Sequence, residues 1–547
     1  MRGKNLLRRQ VPVQLLFIAL SMLYVFMLAP RGVLTPRDSL DAYFHLTRIQ
    51  ALNGVWQSPI NFFEWNHVGN ATSLFYPWLT VAIGYPLFHF FGVVHGYLVF
   101  MGLVTYATLL AAYVSYSKFR HTEWPAILFA LVYTFSFVRA SNVLYRWGVG
   151  EFMAMIFIPP LFLAFYAVLK GHWASWPYAA LWFSLIIYSH VLSVVIIGIN
   201  LLVLFLTALV VRWGAWSYWR QLFLRAVQFG LTTLLLTMAY WGPMVEQQLY
   251  QPLNRPAVFN MVHAGQSLPQ LLNSSLRLDV RSYALGVFLL VVLVGVVLTI
   301  WFTDWVGRTM GLMALVMLVL SSTTFPWGLL QNTPVNIIQY PGRFLGMVMF
   351  WGVLYLVYML ETHWQTWHVP IQAVTTISIG AIAVGLFVGS ARALWHTNTI
   401  IPVNMAWITN DNAPARLRAF NQRDYYPVRA VKYAQSIEAH ETLLNDQVIN
   451  APLHYSQTAA SWQVHLREDG RLDLPVLRFK GTRTWVDGEL RSSSASPRGT
   501  AQIAVTKGAH RIVVAGSYTW FAKFSILMSV ITAGLLGTML FMRKHRA

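Results

Sequence analysis

Apolar runs long enough to cross a hydrocarbon core of roughly 30 Å recur along this 547-residue chain from residue 13 to residue 390, and once more near 519–541. Only 11% of the residues are charged, against about a quarter in a soluble domain. In lipid every backbone polar group must find its partner internally, which leaves helices for runs of this length. The expected fold class is therefore a polytopic α-helical membrane protein. The absence of cysteine excludes disulfides, thiolate metal sites and cysteine nucleophiles.

The net charge of +20 is read first as a topology signal, and no nucleic-acid partner is expected. Arg2, Lys4, Arg8 and Arg9 precede the first apolar run, Val13 to Ala29, which predicts a retained helix with a cytoplasmic start. Further spans are expected near 97–117, 124–139, 150–169, 176–190, 191–211, 224–243, 283–302, 309–323, 343–360, 370–390 and 519–541, about twelve in all. Alternation then places Lys118, Arg120, Lys170, Arg212, Arg220, Arg308 and the basic tail at Arg543, Lys544 and Arg546 on the inner side. The count requires residues 73–92 to be re-entrant or interfacial, since an extra span would expel Lys118 and Arg120. The expected organisation is a transmembrane domain at 1–390 with an outward loop at 30–72, an extracytoplasmic β-rich domain at 391–518, and a final helix with cytoplasmic tail at 519–547. Asp469-Gly470 and Asp487-Gly488, between short alternating runs, predict hairpin turns in the β-rich part.

Ten of the 19 acids fall in 391–518, and Glu123, Asp304 and Glu361 fall on expected inner loops. The remaining six are Asp38, Asp41, Glu64, Glu151, Glu246 and Asp279, all near outward ends of spans. After Pro36, Asp38, Asp41, His45 and Arg48 are spaced to share one face of a helix. That pattern suits either a catalytic carboxylate or an amphipathic surface helix with internal ion pairs. Arg146 and Glu151 flank a Trp147-Gly148 break, where the arginine could hold phosphate or simply anchor topology. Gln339-Tyr340-Pro341-Gly342-Arg343 breaks the chain before another span, and His190 stands where two spans meet. No His-Glu-x-x-His, phosphate loop or Gly-x-Ser-x-Gly elbow is present.

Asp41-x3-His45-x2-Arg48, Phe75-Tyr76-Pro77, Arg146-Trp147-Gly148 with Glu151, and Gln339-Tyr340-Pro341-Gly342-Arg343-Phe344 occur in an order that resembles the bacterial multi-pass proteins labelled 6-pyruvoyl-tetrahydropterin-synthase-related. These belong with GT-C-type membrane glycosyltransferases. The resemblance implies a polyprenyl-phosphate sugar donor, a catalytic acid in the first outward loop, matched by Asp41 with Asp38 as competitor, and Tyr76 in an element flanking the active site. The sequence departs from the family with Tyr340-Pro341-Gly342-Arg343 where relatives often have Phe-Pro-Trp-Arg.

The expected function is inverting sugar transfer to an extracytoplasmic acceptor, a cell-envelope glycan, teichoic acid, lipid or protein, at a bacterial cytoplasmic membrane with both termini inside. The substrate-binding set is His45, Arg48, Tyr76, Arg146, Glu151, His190, Gln339, Tyr340 and Arg343. No cofactor or metal is expected, although Asp38 and Asp41 could share a hard cation. The rivals are a flippase or transporter for lipid-linked glycans and a non-catalytic assembly subunit. Near-absence of acids within the spans disfavours the transporter.

Overall fold

In the computed structural model, which describes residues 2–36, 39–364, 368–397 and 407–546, every one of the twelve expected spans carries helix. Among the described residues eight helices are long and apolar enough to cross a membrane, nine if the bent pair Trp216–Leu236 and Met238–Tyr250 is one span. The shortfall from twelve lies in short helices: Gly286–Phe302 and Trp305–Leu320 are shorter apolar helices, and Trp176–Ile187 has 12 residues. The stretch 73–92 comprises parts of the short helix Thr72–Phe75, the turn Leu79–Val81 and the start of helix Gly84–Arg120. That helix is interrupted at Gly92 (φ 77°), where a Cβ would come within 2.7 Å of the Asn410 side chain.

The chain forms two units. The first combines 1–39, 97–230 and 258–408. Helices Trp124–Thr134 and Leu345–Trp364 lie in its interior, and polar side chains lock it at a few points. The Trp351 indole donates to Asn200 Oδ1 at 2.8 Å, and Tyr133 donates to the Met155 carbonyl at 2.8 Å. Two expected inner-loop acids are tied down. Glu361 accepts from Tyr116 and Arg120, while Asp304 caps its helix at Gly307 and accepts from Tyr358. Lys170 and Arg212, both expected inside, line one cavity; Arg146, His190 and Arg343, expected outside, line another.

The second unit combines 40–96, 231–257 and 409–547. Among the described residues ten strands form two five-stranded antiparallel sheets. One has the order β2 (Gln447–Ile449), β1 (Thr442–Leu444), β5 (Gly470–Leu477), β9 (Thr500–Val505), β8 (Ser494–Ala495). The other runs β3 (Leu453–Tyr455), β4 (Ala459–Leu466), β10 (Gly508–Gly516), β6 (Thr482–Val486), β7 (Glu489–Arg491). Alternating residues such as Trp462, Val464, Ile512 and Val514 form the core, joined by Ile60, Phe62, Val68 and Phe75 from the distant early segment. A Leu477 N–H bond to the Val68 carbonyl ties that segment to β5.

Asp487-Gly488 makes the expected hairpin, β6 to β7, with both residues at positive φ (52° and 87°). Asp469-Gly470 does not. It joins β4 to β5, which belong to different sheets, and the Gly470 position is demanded instead by packing, since a Cβ would meet Asn445 at 2.6 Å.

Between β5 and the turn before β9 the Arg498 guanidinium is buried on Asp473, Nε to Oδ2 at 2.8 Å, and also donates to Ser436 and the Glu441 carbonyl. Removing one member of such a pair strands a buried charge. Arg498→Met should therefore cost about 3–5 kcal/mol and bring forward the denaturant transition of the β region, followed by limited proteolysis between β1 and β10. An unchanged transition would show that Asp473 is satisfied without it.

Candidate active site

In the first unit the chain leaves helix Phe137–Ser141 through a wide π-turn, Asn142–Arg146, then reverses at Trp147 (φ 57°, ψ 34°) before helix Val149–Leu169 begins. Trp147 is buried and stacked on Tyr97, with ring centroids 5.2 Å apart, which pins the reversal. Arg146 is thereby placed against Glu151 in the first turn of the next helix, where the helix dipole favours a carboxylate. Arg146 Nη1 donates to Glu151 Oε2 at 2.9 Å and Nη2 to Oε1 at 3.3 Å. Arg343 Nη1 donates to the same carboxylate.

Arg343 comes from the broken segment ahead of helix Leu345–Trp364. There Gln339 sits at φ 70°, ψ −55°, a strained γ-turn closed by a Tyr340 N–H bond to the Ile338 carbonyl. The Gln339 side chain accepts from Arg343 Nη2 at 2.6 Å, and the Tyr340 hydroxyl accepts from Arg146 Nη2. Both guanidinium groups lie over the Tyr340 ring, at 5.4 Å and 4.5 Å. His190 caps helix Val191–Val211: Ser193 N–H donates to its Nδ1, so the neutral ring carries its proton on Nε2.

These groups surround a cavity of about 60 Å³ lined by Arg146, Glu151, His190, Tyr283 and Arg343. Two guanidinium groups share one carboxylate, so the formal balance is positive, and Arg343 Nε is buried with no partner among the described residues. Such a site is complementary to an anionic oxygen. Six predicted residues, Arg146, Glu151, His190, Gln339, Tyr340 and Arg343, are thus brought together. Asn142, which also accepts from Arg146, and Tyr283, whose ring lies 5.1 Å from the Arg146 guanidinium, belong to the same group and had no distinguishing sequence signal.

The second unit holds Asp41, His45, Arg48 and Tyr76. Helix Leu40–Gln50 forms as the spacing predicts, with Asp41 exposed in its first turn and His45 and Arg48 buried. Arg48 Nη1 donates to the Pro77 carbonyl at 2.8 Å, and the guanidinium lies 4.4 Å from the Tyr76 ring centre. Arg48 makes this aromatic contact rather than an ion pair: among the described residues it has no carboxylate partner, and its Nε and Nη2 are buried without acceptors. Burial lowers its pKa to about 10, against the opposing pull of Tyr76, Tyr425 and Tyr240. Asp38 lies outside the described residues. No group of three or more His, Asp or Glu side chains is placed to hold a metal among the described residues.

Glu64, from the shortlist of outward acids, precedes three consecutive residues in the left-handed region, Trp65, Asn66 and His67 (φ 60°, 52° and 57°). Each costs roughly 1–2 kcal/mol, held by burial of Trp65 among Phe44 and Phe420. Glu64 is 2% exposed, its Oε2 has no partner among the described residues, and burial raises its pKa to about 7, partly offset by Arg418. Burial likewise lowers His67, stacked on Tyr455, to about 4. A carboxyl group raised from 4.5 stabilises the fold fully below pH 4.5, and that contribution is lost as pH climbs through 7. Glu64→Gln should match the wild type in thermal stability at pH 4.5 and exceed it above pH 8 by up to about 3 kcal/mol. Parallel pH profiles for the two proteins would contradict the assignment.

No protein-family profile matches the chain, and no curated protein matches it. Solved structures do resemble it in part. The arabinofuranosyltransferase AftD from mycobacteria aligns over 70% of this chain with 14% identity and a TM-score of 0.43; only 27% of the AftD chain is covered, so this chain spans about a quarter of that protein. ArnT from Cupriavidus metallidurans, solved bound to undecaprenyl phosphate, aligns over 73% of this chain and 68% of its own, with 12% identity and a TM-score of 0.39.

Proposed function

We propose that this multi-pass membrane protein is a GT-C-type glycosyltransferase that moves a sugar from a polyprenyl-phosphate donor to an acceptor outside the cytoplasmic membrane. The observation that carries the reading is the excess of cation at the Glu151 carboxylate, where Arg146 and Arg343 converge on a cavity. In this reaction the acceptor hydroxyl oxygen attacks the anomeric carbon as the bond from that carbon to the phosphate oxygen breaks. The stereochemistry inverts, and the polyprenyl phosphate leaves with the bonding pair. Charge therefore grows on the phosphate, and guanidinium groups already oriented by Glu151, Gln339 and Tyr340 stabilise it without reorganising. His190 is the proposed further donor through Nε2–H.

The base in this proposal is Asp41, which takes the acceptor proton; its exposure suits exchange of that proton with solvent. His45 and Arg48 are assigned to positioning the helix that bears it, through Tyr76 and the Pro77 carbonyl. The transporter reading shares the phosphate site but breaks no bond. A polyprenyl-phosphate sugar radiolabelled in the sugar separates them: transfer of label to an acceptor with release of lipid phosphate supports the enzyme, and movement of intact donor supports transport.

Arg343→Ala should lower kcat/KM by about 10²–10³ in that assay. Asp41→Asn should express and fold normally yet leave no measurable transfer. Turnover like the wild type in Asp41→Asn removes Asp41 from the mechanism, and in Arg343→Ala removes the proposed phosphate site.

A further inference from the structure

The first unit contains a second, larger cavity of about 200 Å³ that shares no lining residue with the one around Glu151. Its walls are apolar, formed by Phe162, Tyr166, Leu204, Phe350 and Leu354 among others, where helices Val149–Leu169, Val191–Val211 and Leu345–Trp364 diverge. Its rim carries Lys170 and Arg212, each at the C-terminal end of one of those helices. Lys170 Nζ lies 5.6 Å from the Tyr166 ring centre, and the Arg212 guanidinium 4.8 Å from that of Tyr218. Neither has a carboxylate within ion-pair distance among the described residues, and the acids of neighbouring helix ends, Asp304 and Glu361, are engaged with Tyr358 and with Tyr116 and Arg120. Val211 and Trp305, also lining it, are more than half exposed.

Close-packed interiors do not leave apolar space of this size unfilled, and water gains nothing there; a cavity of roughly 150 Å³ already takes up a benzene-sized ligand. We propose that this cavity is a binding site for an anionic phospholipid, with one acyl chain between the helices and the headgroup phosphate on Lys170 and Arg212. Charge complementarity selects the occupant: the walls would accept any hydrocarbon, while the two cations favour a lipid whose headgroup carries net negative charge. Tyr218 and Trp305 supply the amphipathic rings that settle at headgroup depth.

The test uses the full chain in bilayer nanodiscs containing phosphatidylglycerol or phosphatidylcholine with a photoreactive diazirine at mid-chain, followed by peptide mapping. Phosphatidylglycerol should label peptides bearing Phe162, Tyr166, Leu204 or Leu354 more strongly than phosphatidylcholine, by on the order of fivefold for each cation. The double variant Lys170→Gln, Arg212→Gln should reduce the ratio to near one. Leu204→Trp, which fills the cavity, should remove the label from both lipids while the protein still elutes as folded wild type does. Equal labelling by both lipids in the wild type, or labelling that survives Leu204→Trp, would overturn the proposal. Because no sugar transfer is measured, either outcome leaves the proposed glycosyltransferase reaction to be decided separately.

Discussion

Two guanidinium groups held on one carboxylate in a poorly solvated cavity are the constraint around which the first unit is arranged. Arg146 and Arg343 come from chain segments nearly two hundred residues apart, and burying both together is unfavourable unless each is hydrogen-bonded and partly neutralised. Glu151 neutralises one charge. Gln339, Asn142 and Tyr340 accept from three further donor positions, leaving a residual positive charge and an Arg343 Nε without a partner among the described residues. The local backbone is distorted to bring these groups in, by the reversal at Trp147 and the γ-turn at Gln339. Strain of that kind persists where surrounding packing over-determines it, as the stack of Trp147 on Tyr97 does.

The second unit solves a different problem. Its Arg48 is also buried, but its guanidinium rests on a tyrosine face and gives one hydrogen bond to a backbone carbonyl, while Nε and Nη2 have no acceptor among the described residues. The cost appears in a pKa drawn down to about 10. The neighbouring left-handed run Trp65 to His67 and the protonation-prone Glu64 show the same exchange of local strain and desolvation for a packed aromatic cluster.

Much of the first cluster was legible in the sequence because contrast made it so. In a chain with so few charged residues, a guanidinium or carboxylate near a helix-breaking Gly or Pro stands out; Arg146, Glu151 and Arg343 have that signature, and Gln339 and Tyr340 adjoin the same Pro341-Gly342 break as Arg343. Asn142 and Tyr283 lack it. The helix bearing Asp41, His45 and Arg48 was readable from spacing, but the burial of Arg48 was not, because Tyr76 and Tyr425 reach it from far along the chain. The two Asp-Gly pairs show the limit of local turn chemistry: one closes a hairpin, while the other joins strands whose sheets are chosen by long-range pairing. The left-handed turn after Glu64 runs through Trp65, Asn66 and His67; Asn66 suits that region, but nothing in the sequence marks Trp65 for it.

The central claim, that Arg146 and Arg343 form a lipid-phosphate site, is tested most directly by equilibrium binding of a short-chain polyprenyl phosphate to the purified full chain. The account predicts saturable binding that weakens at least about tenfold in Arg343→Gln, the loss expected when one charge-assisted contact worth about 1.5–3 kcal/mol is removed. Unchanged affinity in a folded Arg343→Gln protein would contradict it.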